Sequence, residues 1–167
     1  RLFVLEQNGL IRVLENGVLL PTPALNIQSR VAPPLVPSNA NDERGLLGLA
    51  FHPDFHHAGT PGYRTLYTYH SEIIPSGTSP TYPAPNGATQ NYKNVVDEWK
   101  MTADPNVIDP ASRRELISFG KNAGIHKGGT VAFGRDGYLY LALGDGGNAN
   151  DVGASHIEPG GNAQNMT

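Results

Sequence analysis

The chain of 167 residues contains no cysteine. Disulfide frameworks, thiolate zinc sites and cysteine nucleophiles are thereby excluded, but the compartment stays open, because a secreted protein need not carry disulfides. Charge is sparse as well: 16% of residues are Asp, Glu, Lys or Arg, and the formal net charge is -3. The Lys and Arg residues are scattered and build no basic stripe, so nucleic acid is not an expected partner. No apolar run approaches the roughly 20 residues that a membrane helix needs, so no membrane span is expected. No charged-then-apolar signal peptide precedes Arg1-Leu2-Phe3-Val4-Leu5. That stretch reads as a strand already under way, as expected of a chain that starts inside a larger protein or after processing. Helical amphipathic periodicity over ten or more residues is missing too.

Glycine and proline are abundant, at 20 and 14 residues, and they punctuate short apolar runs. This combination predicts an all-β chain rich in turns. Asn8-Gly9 and Asn16-Gly17 separate runs at 2–5, 10–14 and 18–20, which predicts a three-stranded meander. Residues 21–41 are proline-rich and read as a connector. Leu46-Leu47-Gly48-Leu49-Ala50-Phe51-His52 is continuously apolar, as in a strand buried on both faces. Further strands are expected at 65–70, 94–101 and 113–119, with a turn region at 104–112. Residues 71–92, rich in Pro, Gly, Ser, Thr and Asn, are expected to form a surface insertion.

The most informative stretch runs from Ile125 to Gly147. Two apolar strands within residues 129–143 are joined by Asp136-Gly137; His126 lies at the outer end of the first strand and Asp145 at that of the second. An up-down pair returns to its starting level, so the histidine and the aspartate are expected side by side at the end opposite the turn. Histidine is the side chain best suited to general-base work near neutral pH. A carboxylate on its other ring nitrogen fixes the tautomer and stabilises the imidazolium. A faint echo links Leu49-Ala50-Phe51-His52-Pro53-Asp54 with Val131-Ala132-Phe133-Gly134-Arg135-Asp136. A repeated strand-turn-strand unit in an all-β chain is what radially arranged sheets produce.

Glu43-Arg44-Gly45-Leu46-Leu47-Gly48-Leu49-Ala50-Phe51-His52-Pro53-Asp54-Phe55 resembles a signature of the soluble sugar dehydrogenases that use pyrroloquinoline quinone (PQQ), the glucose/sorbosone dehydrogenase family. The resemblance takes in the opening strand pair within 2–14, His126-x-Gly-Gly, Phe133-Gly-x-Asp-Gly-x-Leu-Tyr, Gly144-Asp-Gly-Gly and Asn162-Ala163-Gln164-Asn165. It implies a six-bladed β-propeller, of which residues 1–167 supply the first two to three blades as the N-terminal portion of a single domain. It also implies oxidation of an aldose at C1, with hydride passing to the quinone and His126 removing the hydroxyl proton. Asp145 falls at the position of the family's histidine-supporting aspartate. Glu43 stands where one branch has a glutamine lining the cofactor pocket, and is a candidate cofactor or structural residue. Asn150 aligns with a sugar-pocket position. Ile125 replaces the polar residue that often precedes the histidine. Calcium is implied as a second cofactor, its ligands and the remaining quinone contacts being expected mostly outside this chain. An artificial or periplasmic electron acceptor and a periplasmic or secreted location follow from the same resemblance. This chain alone is expected to be inactive.

His52, His56 and His57 cluster around Pro53-Asp54 but are expected to be structural or solvated, and no residue is assigned as a metal ligand. His70 and His156 sit in no recognisable pattern. Asn148-Ala149-Asn150-Asp151 offers oxygen ligands of the kind calcium takes, yet the same residues are common in turns, the favoured reading. Asn165-Met166-Thr167 matches a glycosylation acceptor. Trp99, Tyr138 and Tyr140 are read as packing. Two alternatives to the dehydrogenase are a non-catalytic binding propeller of the hedgehog-interacting type and a lactonase-like propeller hydrolase.

Overall fold

The computed structural model describes residues 1–33, 41–83, 90–121 and 124–144. Among these there is no helix; ten strands form three antiparallel sheets. The first sheet holds β1 (Leu2–Glu6), β2 (Leu10–Glu15), β3 (Val18–Leu19) and β4 (Leu25–Asn26). The Asn-Gly meander forms as expected: Glu15 pairs with Val18 across Asn16-Gly17, both of positive φ. That is the two-residue loop whose twist suits a hairpin. The expectation of a plain connector at 21–41 is corrected by β4, which pairs Leu25 with Ile11 on β2.

The second sheet runs in the order β5 (Leu46–Phe51), β6 (Thr65–Glu72), β7 (Tyr92–Met101) and β8 (Ile108–Lys121). Here the strands outrun the expectations. Ser71, Glu72 and Tyr92, placed in the insertion by composition, are buried strand residues. What lies between them returns to the sheet: Tyr82 stacks on Phe119 at 5.5 Å, and its backbone amide donates to Ser118 O at 2.9 Å. Residues 108–112, expected in a turn, are part of β8. Its Pro110 is tolerated because β8 is an edge strand in the sheet's order.

The third sheet comprises β9 (Gly128–Phe133) and β10 (Leu139–Leu143), the hairpin of the sequence echo. Two cores stack the sheets in sequence. Ile11, Val13, Leu25 and Ile27 of the first sheet region meet Leu46, Leu66, Trp99 and Ile108 of the second. Ala50, Tyr69 and Val96 meet Val131 of the third. Burial of each such aliphatic side chain contributes about 1.5–3 kcal/mol. β5 feeds both cores, Leu49 and Phe51 joining the first and Leu47 the second, as its continuous apolarity predicts. Sheets that bury each face only by stacking on a neighbour are blades of a propeller. Tyr138 and Tyr140 are exposed among the described residues, and the Tyr140 hydroxyl donates to Asp136 Oδ2 at 2.6 Å. Among the described residues no further strand pairs with β9–β10.

Candidate functional site

His126 sits in the segment that enters β9, and the pairing of Leu143 with Gly128 returns the hairpin to that level. The imidazole is exposed, and its backbone lies at φ 56, the left-handed region a non-glycine residue seldom occupies. Gly128 and Gly129 follow at φ 68 and 118. They are glycines for two reasons, the conformation and the space. A Cβ on Gly129 would stand 2.6 Å from Leu47 Cβ, and one on Gly128 would stand 2.5 Å from Ala142 O. The His-x-Gly-Gly spacing is thus a tight corner that pushes the histidine outward while β9 slides against β5. Asp145 and Asn150 lie outside the described residues, as do His156 and the clusters at 148–151 and 162–167.

Glu43 reaches the same corner from the other side of the chain. Its amide donates to Gly124 O at 2.8 Å, and its Oε2 accepts from the Lys127 amide at 3.3 Å. The structure therefore brings Glu43 and the His126 segment together, with the carboxylate bonded to backbone. Beside it, Arg44 and Asp42 form a buried bidentate pair, with Nη2 to Oδ2 at 2.7 Å and Nε to Oδ1 at 2.9 Å. The Arg44 guanidinium also lies 4.9 Å from the centre of the Tyr92 ring.

Lys127 is a site feature that motif reading passes over. Its side chain is buried, its Nζ lies 5.3 Å from the Tyr92 ring centre, and it has no hydrogen-bond partner among the described residues. Burial, reinforced by the neighbouring charge of Lys121 and only partly offset by Glu43, pushes this amine down to about 7. The Tyr69 hydroxyl fixes the backbone, donating to Lys127 O at 2.9 Å.

The other histidines separate cleanly. His52 Nδ1 accepts from the Asp54 amide at 3.0 Å, and His57 Nδ1 lies 3.0 Å from Asp54 Oδ1. These contacts are local turn chemistry. His70, given no pattern in the sequence, is fully buried in β6 with Glu72 and Asp97. The usable signal is alternation: His70 and Glu72 are two apart on one strand and share a face. Asp97 joins them only through β6–β7 pairing, where it stands opposite Thr68. Arg113 binds both carboxylates, Nε to Asp97 Oδ2 at 2.6 Å and Nη2 to Glu72 Oε2 at 2.5 Å. Burial pushes the Asp97 carboxyl up despite that bond. Burial opposes Glu72 as well, but the His70 ring and the Arg113 charge outweigh it and hold the carboxyl below the usual range.

The stacked antiparallel sheets are those of a partial β-propeller, with His126 exposed where β9 begins. The family model described as Glucose / Sorbosone dehydrogenase matches residues 1–166, and the chain belongs to that family. It is 31% identical to the mouse (Mus musculus) Hedgehog-interacting protein over 147 residues, which is 87% of this chain and 19% of that protein. A putative oxidoreductase (glucose dehydrogenase) from Thermus thermophilus is 27% identical, with a TM-score of 0.55 over 86% of this chain and 33% of its own. The PQQ-bound form of an aldose sugar dehydrogenase from Streptomyces coelicolor superposes with a TM-score of 0.54 at 21% identity, covering 84% of this chain and 33% of its own. That likeness shows the fold. The chain thus spans about a fifth of the mouse relative and a third of the solved chains.

Among the described residues no helix is long and apolar enough to cross a membrane.

Proposed function

We propose that the full-length protein oxidises an aldose at C1 with pyrroloquinoline quinone, His126 acting as general base. The observation that supports this most strongly is the corner at His126: an exposed imidazole on a left-handed backbone, held by two glycines that admit no side chain. Strain of this kind is retained where a side chain must be aimed. Beside this corner Arg44 is held by Asp42, and Lys127 is buried near the Tyr92 ring. The quinone, when bound, supplies the acceptor for the sugar's hydride. A ring nitrogen of His126 takes the C1 hydroxyl proton, so that proton and hydride leave together and the sugar becomes a lactone. To Asp145 we assign the role of orienting the imidazole, and to Asn150 a contact to the sugar. Glu43 serves the site by bracing the Lys127 amide, not by facing the cofactor's carboxylates, which its charge would repel. Calcium, bound by segments beyond this chain, completes the cofactor site. Electrons pass on to a periplasmic acceptor or an artificial dye, in a periplasmic or secreted protein.

The test is reduction of a dye by the full-length protein loaded with the quinone and calcium, across a panel of aldoses. Sugar-dependent reduction is the expected result; none with any aldose ends the dehydrogenase reading. A second reading, a propeller that binds a protein partner without catalysis, is favoured by the 31% identity to the Hedgehog-interacting protein. It predicts an intact fold, no quinone binding and no dye reduction. Lactone hydrolysis without quinone would instead indicate a hydrolase.

A further inference from the structure

We propose that His70, Glu72 and Asp97 bind one divalent first-row transition metal, zinc foremost, on the face of the second sheet that packs toward the first. The site does not depend on the quinone reading. Leu66, His70 and Glu72 occupy alternate positions of β6, and Asp97 and Trp99 lie on the same face of β7, opposite Thr68 and Leu66. Leu66 and Trp99 pack against Ile11, Val13 and Leu25 of the first sheet. The chain at 30–32 closes the end, Val31 bridging to Glu72 and the Ala32 amide donating to Ser71 O at 2.9 Å.

Within this enclosure the His70 ring is fully buried, and neither ring nitrogen has a hydrogen-bond partner among the described residues. Leaving both unmatched costs free energy that an apolar side chain would avoid. The ring is nevertheless aimed at acceptors: Nε2 lies 3.4 Å from Glu72 Oε2 and 3.7 Å from Asp97 Oδ2. One ligand atom from each residue lies within 4.8 Å of the others. A tetrahedral zinc with bonds of about 2.0–2.2 Å sets its ligand atoms roughly 3.3–3.6 Å apart. Two of the edges therefore already have nearly the right length. Asp97 Oδ1, buried and without a hydrogen-bond partner among the described residues, offers a further ligand atom.

Arg113 is compatible with this role. A carboxylate oxygen has two lone pairs, so Glu72 Oε2 and Asp97 Oδ2 can keep their bonds to the guanidinium and turn the second pair inward. Arg113 is then the outer-shell donor that fixes both ligands. Imidazole with carboxylates selects zinc or its first-row neighbours over calcium and magnesium, which prefer oxygen alone. The competing arrangement is a metal-free cluster of His70, Glu72, Asp97 and Arg113.

Metal-stripped full-length protein, free of sugar and quinone, is titrated with zinc against a chromophoric chelator, and in parallel with cobalt. One equivalent of zinc and the visible absorption of tetrahedral cobalt are expected. His70→Gln and Glu72→Gln, with folding checked by circular dichroism, should lower zinc affinity by more than the roughly 10–100-fold that loss of an outer-shell partner causes. Wild-type protein that shows no tetrahedral cobalt spectrum overturns the site, whether or not the variants fold. Equal zinc stoichiometry and affinity in wild type and folded variants overturns it as well.

Discussion

Two histidines of this chain, His70 and His126, are built in opposite ways. His126 is exposed, sits on a left-handed backbone between loop and strand, and has glycines where neighbours would obstruct it. His70 is buried in the middle of a regular strand, enclosed by Glu72, Asp97 and Arg113. The first costs backbone strain and leaves the residue exposed. The second costs desolvation and is open to nothing larger than an ion. Strain with exposure marks a group meant to meet a substrate; burial with ionic neighbours marks one that holds sheets or a metal together.

The largest expected effect breaks the first side of this contrast. His126→Asn retains a residue type that tolerates the left-handed region, so the full-length protein should fold while kcat for sugar-dependent dye reduction falls about 10²–10⁴-fold, as for loss of a general base. Arg113→Met attacks the second side. It leaves Asp97 buried without its guanidinium and Glu72 with only Arg30, at 3.4 Å, and stability should fall by about 3–5 kcal/mol with little change in kcat at permissive temperature. Chemical denaturation of wild type and variant checks this.

Lys127 supplies a prediction in pH. Its amine is pushed down to about 7 in the fold from about 10.4 in the unfolded chain. Between those values the unfolded state binds the extra proton, so this residue's penalty is full below pH 7 and fades as pH rises towards 10.4. Lys127→Met should therefore stabilise the protein at pH 6, by up to about 4 kcal/mol, with the gain shrinking as pH approaches 10. Thermal unfolding at the two pH values measures it; an equal gain at both contradicts the buried, shifted amine. Gly129→Ala, which strains the corner and presses on Leu47, should cost about 1–3 kcal/mol and lower kcat by displacing His126. Smallest is Glu43→Gln: the amide oxygen still accepts from the Lys127 N–H, so kcat should change less than about threefold if Glu43 works by bracing, a change of under 1 kcal/mol. A large rise in quinone affinity on this substitution would show that its charge faces the cofactor instead.

The parts of this structure that are legible in the sequence are local ones. Asn16-Gly17 fixes its hairpin through two residues, and His126-x-Gly-Gly announces a corner because only glycine suits φ 118 beside Leu47. The continuous apolarity of Leu46–Phe51 signals that both faces are covered. What stays hidden depends on pairing across distance. Ile108 and its neighbours look like a turn because Pro105 and Pro110 flank them, and only their edge position permits a strand. Tyr92 and Glu72 carry the composition of the insertion between them but are claimed by the sheet. His70 is the plainest case: Asp97 and Arg113 are distant in sequence, and no short pattern could assemble them. Lys127 escapes notice for a related reason, since the motif it interrupts specifies its neighbours and leaves its own position open.

The central claim is that the strained, exposed His126 does chemistry. Its most direct test is single-turnover oxidation of aldose by the quinone-loaded full-length protein, comparing wild type with His126→Asn at matched quinone occupancy. The account predicts that the variant folds, holds the quinone and oxidises sugar about 10²–10⁴-fold more slowly. A folded, quinone-loaded His126→Asn protein that matches the wild-type rate would contradict it.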